Sequence, residues 1–263
     1  METVTSADGT EIAFERTGSG QPLVLVHGAG LDHHFWDLSD VRAALAEHNT
    51  VYAIERRGRG GSGDAGEYSL DREIEDVATV VESIDEPVTL LGHSFGALIA
   101  MEVALRTDNL HGLVLYEPFT HEDGLPQLKE ILGAFQPLLA DGKKEEALIT
   151  NLTIVGMPED AFEELRSTPS WQTVVAAADT LSREFEQSSE YKFDPDRFTG
   201  MTTPTLLFTG GESPPPLIDA TEVVDEVLPD SRVVVFDGHA HWALNTATDR
   251  FIDEVLTFIG ETD

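Results

Sequence analysis

The sequence predicts an α/β fold built on a mostly parallel sheet with helices on both faces. Short apolar runs with little alternation, such as 22–26 and 88–91, are typical of strands buried on both faces of a parallel sheet. Segments with apolar residues at helical spacing separate these runs, as at 70–84. A chain of 263 residues is long enough to form one large domain of this class.

The elements can be assigned in chain order. Asp8-Gly9 predicts a hairpin turn that leads into a strand at the sheet edge, so the chain opens with a strand pair. Six further strands are predicted at residues 22–26, 50–54, 88–91, 110–116, 205–208 and 231–236. Helices are predicted at residues 41–48, 70–84, 97–105, 220–227 and 250–259. The expected sheet therefore has eight strands.

A long insertion separates the strand at 110–116 from the next one at 205–208. A structureless loop of roughly 80 residues inside one domain is improbable. Helical patterning occurs within the insertion around residues 125–139, 144–154, 159–165 and 171–185. We therefore expect a core formed by residues 1–118 and 200–263 and a helical cap formed by residues 119–199.

The charge balance excludes several classes of partner. The chain has 49 acidic residues against 16 Lys and Arg, which gives a net charge of −33. Nucleic acid and anionic membrane surfaces would be repelled by such a protein. With no cysteine, thiol catalysis, disulfides and cysteine-ligated zinc are excluded. Neither a secretory signal nor an apolar run of the roughly 20 residues that span a bilayer occurs, so we expect a cytoplasmic protein.

The acidic residues are spread along the chain, and only four lysines occur. An acid-rich, lysine-poor composition resembles that of proteins from salt-loving archaea. Concentrated salt screens the self-repulsion of such a surface. We therefore expect a halophilic origin. The sequence does not predict an oligomeric state.

The segment 92–96, Gly-His-Ser-Phe-Gly, lies between a predicted buried strand and a predicted helix. This G-x-S-x-G pattern in that context predicts a nucleophile elbow, a sharp turn that presents the central serine. Ser94 would then stand at a helix N-terminus, where free N–H groups and the helix dipole favour developing negative charge.

A second motif follows the strand at 22–26: His27-Gly28-Ala29-Gly30. Together with the elbow, this loop resembles the oxyanion loop of the α/β-hydrolase family. The resemblance covers nearly the whole chain and is weak only in the cap. It implies that the N–H groups of Ala29 and Phe95 stabilise an oxyanion, that His27 braces the loop backbone, and that His27 and Gly28 border the substrate. The basic loop at 56–62 resembles the family's R-G-x-G-x-S loop, whose arginines are scaffolding.

In that family the catalytic residues follow the order serine, acid, histidine. The base must therefore come from the loop after the last strand, where His239 and His241 are both candidates. The family's spacing between the histidine and the terminal helix favours His241, whereas a Gly-His dipeptide favours His239. We place His241 first.

The acid has two candidates, and the sequence does not separate them. The aspartate usual in the family corresponds here to Ser213, with Glu212 beside it. Some family members place the acid one strand earlier, where Glu117 lies. Either glutamate could reach an imidazole, and we place Glu117 before Glu212.

The resemblance implies an enzyme that cleaves small to medium ester-type substrates with Ser94, His241 and a glutamate. It implies no metal and no organic cofactor. Trp171 and Phe135 of the cap are candidates to contact the small-molecule substrate. The same fold also supports C–C bond hydrolysis, thioester cleavage and perhydrolysis, and some members bind ligands with little turnover. These alternatives remain open at the level of sequence.

Overall fold

The computed structural model describes residues 1–118, 120 and 127–262, with the backbone alone at 127–129. Its strands are β1 Glu2–Thr5, β2 Glu11–Gly18, β3 Gln21–Val26, β4 Asn49–Ile54, β5 Val88–His93, β6 Leu110–Tyr116, β7 Thr205–Gly210 and β8 Ser231–Phe236. They form one eight-stranded sheet in the order β1-β2-β4-β3-β5-β6-β7-β8. β2 pairs antiparallel with β1 and β4, and all other neighbours are parallel. The predicted fold class is confirmed.

The helices of the core are α1 Val41–Ala46, α2 Leu70–Glu82, α3 Phe95–Val103, α9 Pro215–Val227, α10 Ala243–Thr246 and α11 Thr248–Thr262. Those of the insertion are α4 Gln127–Ala140, α5 Lys144–Ile154, α6 Glu159–Ser167, α7 Trp171–Ala176 and α8 Thr180–Glu190. The sequence predicted one helix where α7 and α8 lie. A 3-10 turn at Ala177–Asp179 divides the predicted helix into two. Ser170 is the N-cap residue of α7, and its side chain makes no capping hydrogen bond. A 3-10 segment at His33–Asp40 was not predicted at all.

Helices cover both faces of the sheet because successive residues of each central strand point in opposite directions. In β3, Leu25 belongs to the hydrophobic core that includes Val41 of α1 and Val255 of α11. Its neighbour Val24 belongs to a second core, which includes Val77 of α2. This explains why β3 lacks the alternation of a half-exposed strand.

The helical insertion, defined here as α4 to α8, lies between β6 and β7 in the chain. Its buried side chains Leu148 and Phe185 belong to the same hydrophobic core as Phe35 and Trp242 of the sheet domain. The insertion is therefore packed onto the core through apolar contacts. Residues 119 and 121–126, where the sequence predicts the insertion to begin, lie outside the described residues.

The surface of the described chain exposes few large hydrophobic side chains. Those more than a third exposed are Met1, Ile154 and Val235. Among the described helices, none combines the length and apolar composition needed to cross a bilayer.

Two close backbone contacts hold the turn between β5 and α3. A Cβ atom added to Gly96 would lie 2.2 Å from the carbonyl oxygen of Val26 at the end of β3. A Cβ added to Gly92 would lie 2.3 Å from the carbonyl oxygen of Gly96. Both positions therefore require glycine, because backbone atoms cannot move aside as a flexible side chain can. The two glycines of the motif are explained by packing.

We expect Gly96→Ala to destabilise the fold by about 3 kcal/mol or more, because the added methyl group must displace β3 or α3. Gly133→Ala is the matched control: Gly133 lies inside α4, and a Cβ there meets nothing within 4 Å. That variant should gain about 0.5–1 kcal/mol from helix propensity. Urea unfolding measures both values, and equal stability of the two variants would contradict the packing argument.

Candidate active site

Ser94 occupies a strained turn at the end of β5. Its backbone has φ 56° and ψ −119°, a conformation that residues with a side chain seldom adopt. The N–H of Ser94 donates a hydrogen bond to the carbonyl oxygen of Tyr116, at 2.9 Å, which ties the turn to the end of β6. The side chain is partly exposed and borders a cleft. The fold thus presents a serine hydroxyl at the first turn of α3.

His241 lies in the loop after β8 and borders the same cleft as Ser94. Its Nδ1 hydrogen bonds to Glu117 Oε2, and the imidazole is almost completely buried. Tyr116 holds the backbone on either side of it: the hydroxyl donates to the Ala240 carbonyl at 2.8 Å and accepts from the Ala243 N–H at 3.1 Å. Because Nδ1–H donates to the carboxylate, the neutral ring carries its lone pair on Nε2.

Glu117 follows β6 directly and has a positive φ of 46°. Its second carboxylate oxygen accepts hydrogen bonds from the Thr209 hydroxyl at 2.9 Å and the Gly210 N–H at 2.8 Å, both at the end of β7. Burial opposes ionisation, but the hydrogen bond and charge of His241 and the other donors hold the pKa of Glu117 below its usual range. At neutral pH the group beside His241 is therefore a carboxylate.

His93, the residue before Ser94, was not singled out from the sequence. Its Nε2 donates to the carbonyl oxygen of His241 at 3.0 Å, and its ring centroid lies 4.5 Å from that of His241. Burial, with the adjacent His241, holds the pKa of His93 well below its usual range, so the ring is neutral. The position of His93 directly before Ser94 in the motif was the sequence signal that could have identified it. His93 positions the His241 loop.

Two buried arginines hold the carbonyl groups of the loop at 27–31. Arg56 donates to the Gly28 carbonyl oxygen at 3.1 Å, and Arg59 donates from Nε to the Leu31 carbonyl oxygen at 2.8 Å. The ring of His27 hydrogen bonds to the same Gly28 carbonyl at 2.9 Å. The basic loop after β4 therefore acts on the conformation of the glycine-rich loop after β3.

Glu184 of α8 holds the same loop from the helical insertion. Its Oε2 accepts the N–H of Gly30 at 3.0 Å, and its Oε1 accepts from Arg56 at 3.0 Å and from Arg59. Glu73 of α2 pairs with Arg56 at 2.6 Å, so two carboxylates face two guanidinium groups, all fully buried. Although burial opposes it, the charges of Arg56 and Arg59 hold the pKa of Glu73 below its usual range. The sequence offered no signal for Glu184, because it is distant along the chain.

Two backbone N–H groups next to the serine turn, those of Ala29 and Phe95, have no hydrogen-bond acceptor among the described residues. Ala29 and Phe95 both border the cleft beside Ser94. The Ala29 N–H belongs to the loop held by Arg56 and Glu184, and the Phe95 N–H belongs to the first turn of α3. Such a pair of free donors can stabilise an anionic oxygen.

The cleft lies between the carboxyl ends of the strands and the helical insertion. Besides Ser94 and His241, the core contributes Gly28, Ala29, Leu31, His93, Phe95 and Trp242. The insertion contributes Asn151, Leu152, Val155, Phe185 and Ser188. Among the described residues that line it, none is Lys, Arg, Asp or Glu. The cleft is therefore suited to an uncharged, largely apolar molecule.

Three residues expected beside the substrate, His27, Phe135 and Trp171, are not among the described residues that border the cleft. His27 is fully buried behind the loop, and burial together with the nearby Arg56 and Arg59 charges holds its pKa well below the usual range. Phe135 packs against Phe185, with ring centroids 5.1 Å apart. Trp171 packs against Phe162 and donates from Nε1 to Glu145 at 3.3 Å. The rings of Phe135 and Trp171 are both buried.

The alternative acid and the alternative base are both placed away from the contact between Glu117 and His241. The Glu212 side chain is exposed, and the backbone N–H of Glu212 donates to the His239 carbonyl oxygen at 2.9 Å. His239 is partly exposed, and its Nδ1 hydrogen bonds to the Thr246 hydroxyl at 2.8 Å. Neither of them borders the cleft.

In the described part of the chain, one group has the composition of a metal site. Ligand atoms of Asp32, His33 and His34 lie within 4.8 Å of one another. Both ring nitrogens of His33 already contact carboxylates, those of Glu55 and Glu15. Asp32 caps the following 3-10 segment by accepting the His34 N–H at 3.0 Å. These side chains satisfy one another, so the group carries no assignment of a metal.

Comparison with known proteins identifies relatives along almost the whole chain. Residues 23–254 match the model of the "Alpha/beta hydrolase family". The chain is 29% identical over 258 residues to a pimeloyl-[acyl-carrier protein] methyl ester esterase of Aeromonas hydrophila, covering 95% of this chain and 99% of the relative. The crystal structure of an alpha/beta hydrolase of Sphaerobacter thermophilus superposes with a TM-score of 0.75 at 32% identity. The match covers 95% of this chain and 99% of the other. The crystal structure of an esterase of a Rhodococcus species has a TM-score of 0.80 at 25% identity, and the match covers 100% of this chain and 99% of the other.

We expect Glu184→Gln to destabilise the protein by about 3–5 kcal/mol, because two buried guanidinium groups would share one remaining carboxylate. The matched control is Glu186→Gln, on the same helix but exposed, which should change stability by no more than about 0.5 kcal/mol. Urea unfolding at fixed salt measures both. If the two variants unfold at the same urea concentration, the buried network does not hold the loop as described.

Proposed function

The chain belongs to the alpha/beta hydrolase family, and we propose that it is a serine hydrolase of small to medium ester-type substrates. The observation that carries the proposal is that Ser94 and His241 border one cleft while His241 Nδ1 is bonded to the Glu117 carboxylate. A hydroxyl becomes a competent nucleophile when a base oriented by a carboxylate removes its proton. The esterases among its relatives support an ester as the substrate class.

In the proposed mechanism, Ser94 Oγ attacks the ester carbonyl carbon while Nε2 of His241 accepts the hydroxyl proton. Glu117 stabilises the resulting imidazolium and keeps Nε2 directed at the serine. The N–H groups of Ala29 and Phe95 stabilise the tetrahedral oxyanion. The carbon–oxygen bond to the alcohol then breaks, and the alcohol leaves with the proton from His241. A water molecule, deprotonated by His241, then attacks the acyl carbon. The bond from that carbon to Ser94 Oγ breaks, Oγ regains its proton from His241, and the acid is released.

We assign the role of cap to residues 119–199. The insertion forms one wall of the cleft through Leu152, Val155 and Phe185, so it excludes water from the reacting atoms and limits the size of the substrate. The absence of Lys, Arg, Asp and Glu among the described lining residues favours an uncharged substrate over a carboxylate-bearing one. Thioester cleavage, perhydrolysis and C–C bond hydrolysis would use the same serine. Each of them would be indicated by higher activity on its own substrates than on simple carboxylic esters.

The test is hydrolysis of p-nitrophenyl esters of increasing acyl length, in high salt. We expect Ser94→Ala and His241→Ala to lower kcat by at least about a thousandfold, and Glu117→Gln by about 10²- to 10⁴-fold, because each removes one part of the proton relay. Glu212→Gln, the matched control for the acid, should stay within about twofold of wild type.

A greater loss in Glu212→Gln than in Glu117→Gln would reassign the acid. A folded wild type that cleaves none of the esters, and is not labelled at Ser94 by a fluorophosphonate, would contradict the proposal.

We also propose that the protein is adapted to concentrated salt. The support is the net charge of −33 on a chain of 263 residues. At low ionic strength the like charges repel across the surface, and molar salt shortens the screening length to about 3 Å.

The melting temperature should therefore rise by roughly 10 °C between dilute buffer and about 2 M potassium chloride, because screening relieves the repulsion in the folded state. Sucrose at matched osmolality, which stabilises by exclusion without screening, is the control and should give a smaller increase. Differential scanning calorimetry measures both. Equal melting temperatures in dilute buffer and in molar salt would disprove the adaptation.

A further inference from the structure

The helical insertion places one unpaired amide at the cleft. Asn151 of α5 is 1% exposed and borders the cleft with Ser94 and Ala29. Its Oδ1 is buried, and no described residue supplies a hydrogen bond to it. The amide nitrogen lies 3.4 Å from the position that a Cβ of Gly30 would occupy, so the side chain lies against the oxyanion loop. The amide therefore lies beside the loop that supplies the Ala29 N–H in the proposed mechanism.

An unpaired amide at a buried site destabilises the folded protein, because it loses hydrogen bonds to water without gaining others. A leucine of nearly the same shape would avoid that cost in a wall that already contains Leu152, Val155 and Phe185. Ser188, another polar side chain from the insertion, donates its proton to the Glu184 carbonyl oxygen at 2.8 Å. Asn151 is thus the polar group of this wall that has its hydrogen-bonding capacity available.

We propose that the Asn151 amide binds a neutral polar group of the substrate, namely a hydroxyl, carbonyl or amide close to the scissile ester. An amide both donates and accepts, so it can pair with any of these groups. A carboxylate is disfavoured because no Lys or Arg among the described residues borders the cleft and the protein carries a large negative charge. The preferred substrates are short neutral esters with such a group rather than plain hydrocarbon esters. This inference rests on the proposed serine hydrolase function.

The kinetic test compares p-nitrophenyl butyrate with p-nitrophenyl β-hydroxybutyrate, which differ by one hydroxyl group. Wild type should prefer the hydroxylated ester in kcat/KM by about tenfold, the usual contribution of one neutral hydrogen bond in a desolvated site. Asn151→Leu should lose this preference, so that the ratio of its kcat/KM values for the two esters falls to about one. Asn151→Ala serves the same purpose if the leucine variant does not fold. An active wild type whose preference is the same in the variants would overturn the inference.

A stability measurement separates a binding role from a structural one. If Asn151 is retained for the ligand, Asn151→Leu should raise the melting temperature of the free protein, since it removes an unpaired amide. The matched control is Asn245→Leu: both amide atoms of Asn245 lack a partner among the described residues, and Asn245 does not border the cleft. It should leave the preference between the two esters unchanged. A fall in melting temperature for Asn151→Leu would assign the amide to the fold and overturn the inference.

Failure of the serine hydrolase proposal can be distinguished from failure of the inference about Asn151. A folded wild type that hydrolyses neither ester and is not labelled at Ser94 by a fluorophosphonate contradicts the serine hydrolase proposal. Ligand binding then tests the role of Asn151. Butyramide and β-hydroxybutyramide are uncleaved neutral analogues whose affinities can be measured by titration calorimetry. Tighter binding of the hydroxylated amide to wild type than to Asn151→Leu supports the role of Asn151. Equal affinities for the two proteins contradict it.

Discussion

The close approach of α3 to the end of β3 is the constraint on which the candidate active site depends. Gly96 allows the first turn of α3 to lie against the carbonyl oxygen of Val26, at a distance that no side chain would permit. This contact brings the loop after β3 next to the turn that contains Ser94. The free N–H groups of Ala29 and Phe95 consequently face one cleft, although they belong to segments far apart in the chain.

The buried charges act on the other side of the same loop. Arg56 and Arg59 fix its carbonyl groups, and Glu184 fixes the N–H of Gly30. Because each charge is opposed by another and is hydrogen bonded, the cluster avoids the large penalty of an unpaired buried ion. Glu184 comes from the helical insertion, so the geometry of the loop after β3 and the packing of the insertion are coupled. The insertion therefore contributes to the site as well as covering it.

Local patterns predicted most of the core elements. The strand Ser231–Phe236 and the helix Lys144–Ile154 have the bounds that their apolar patterns indicated, and the hairpin at Asp8-Gly9 joins two antiparallel strands. The patterns failed where tertiary packing decides the backbone. The 3-10 turn at Ala177–Asp179 divides a segment whose apolar spacing is continuous, and the 3-10 segment at His33–Asp40 has no clear period. Phe135 and Trp171 do not border the described cleft, and the sequence could not show this, because aromatic residues occur both in helical cores and in cleft walls.

The sequence by itself determined the α/β class, the serine at a strand-to-helix turn and the strongly acidic character of the protein. These depend on local order: apolar periodicity, the spacing of two glycines around Ser94, and a sum of charges. Only the tertiary structure brought Glu117 rather than Glu212 to His241, since β6 and β7 are neighbours whose ends meet beside the β8 loop. It also left Asn151 unpaired at the cleft and joined Glu184 to Gly30. Such contacts join residues from distant parts of the chain, and no local pattern encodes them.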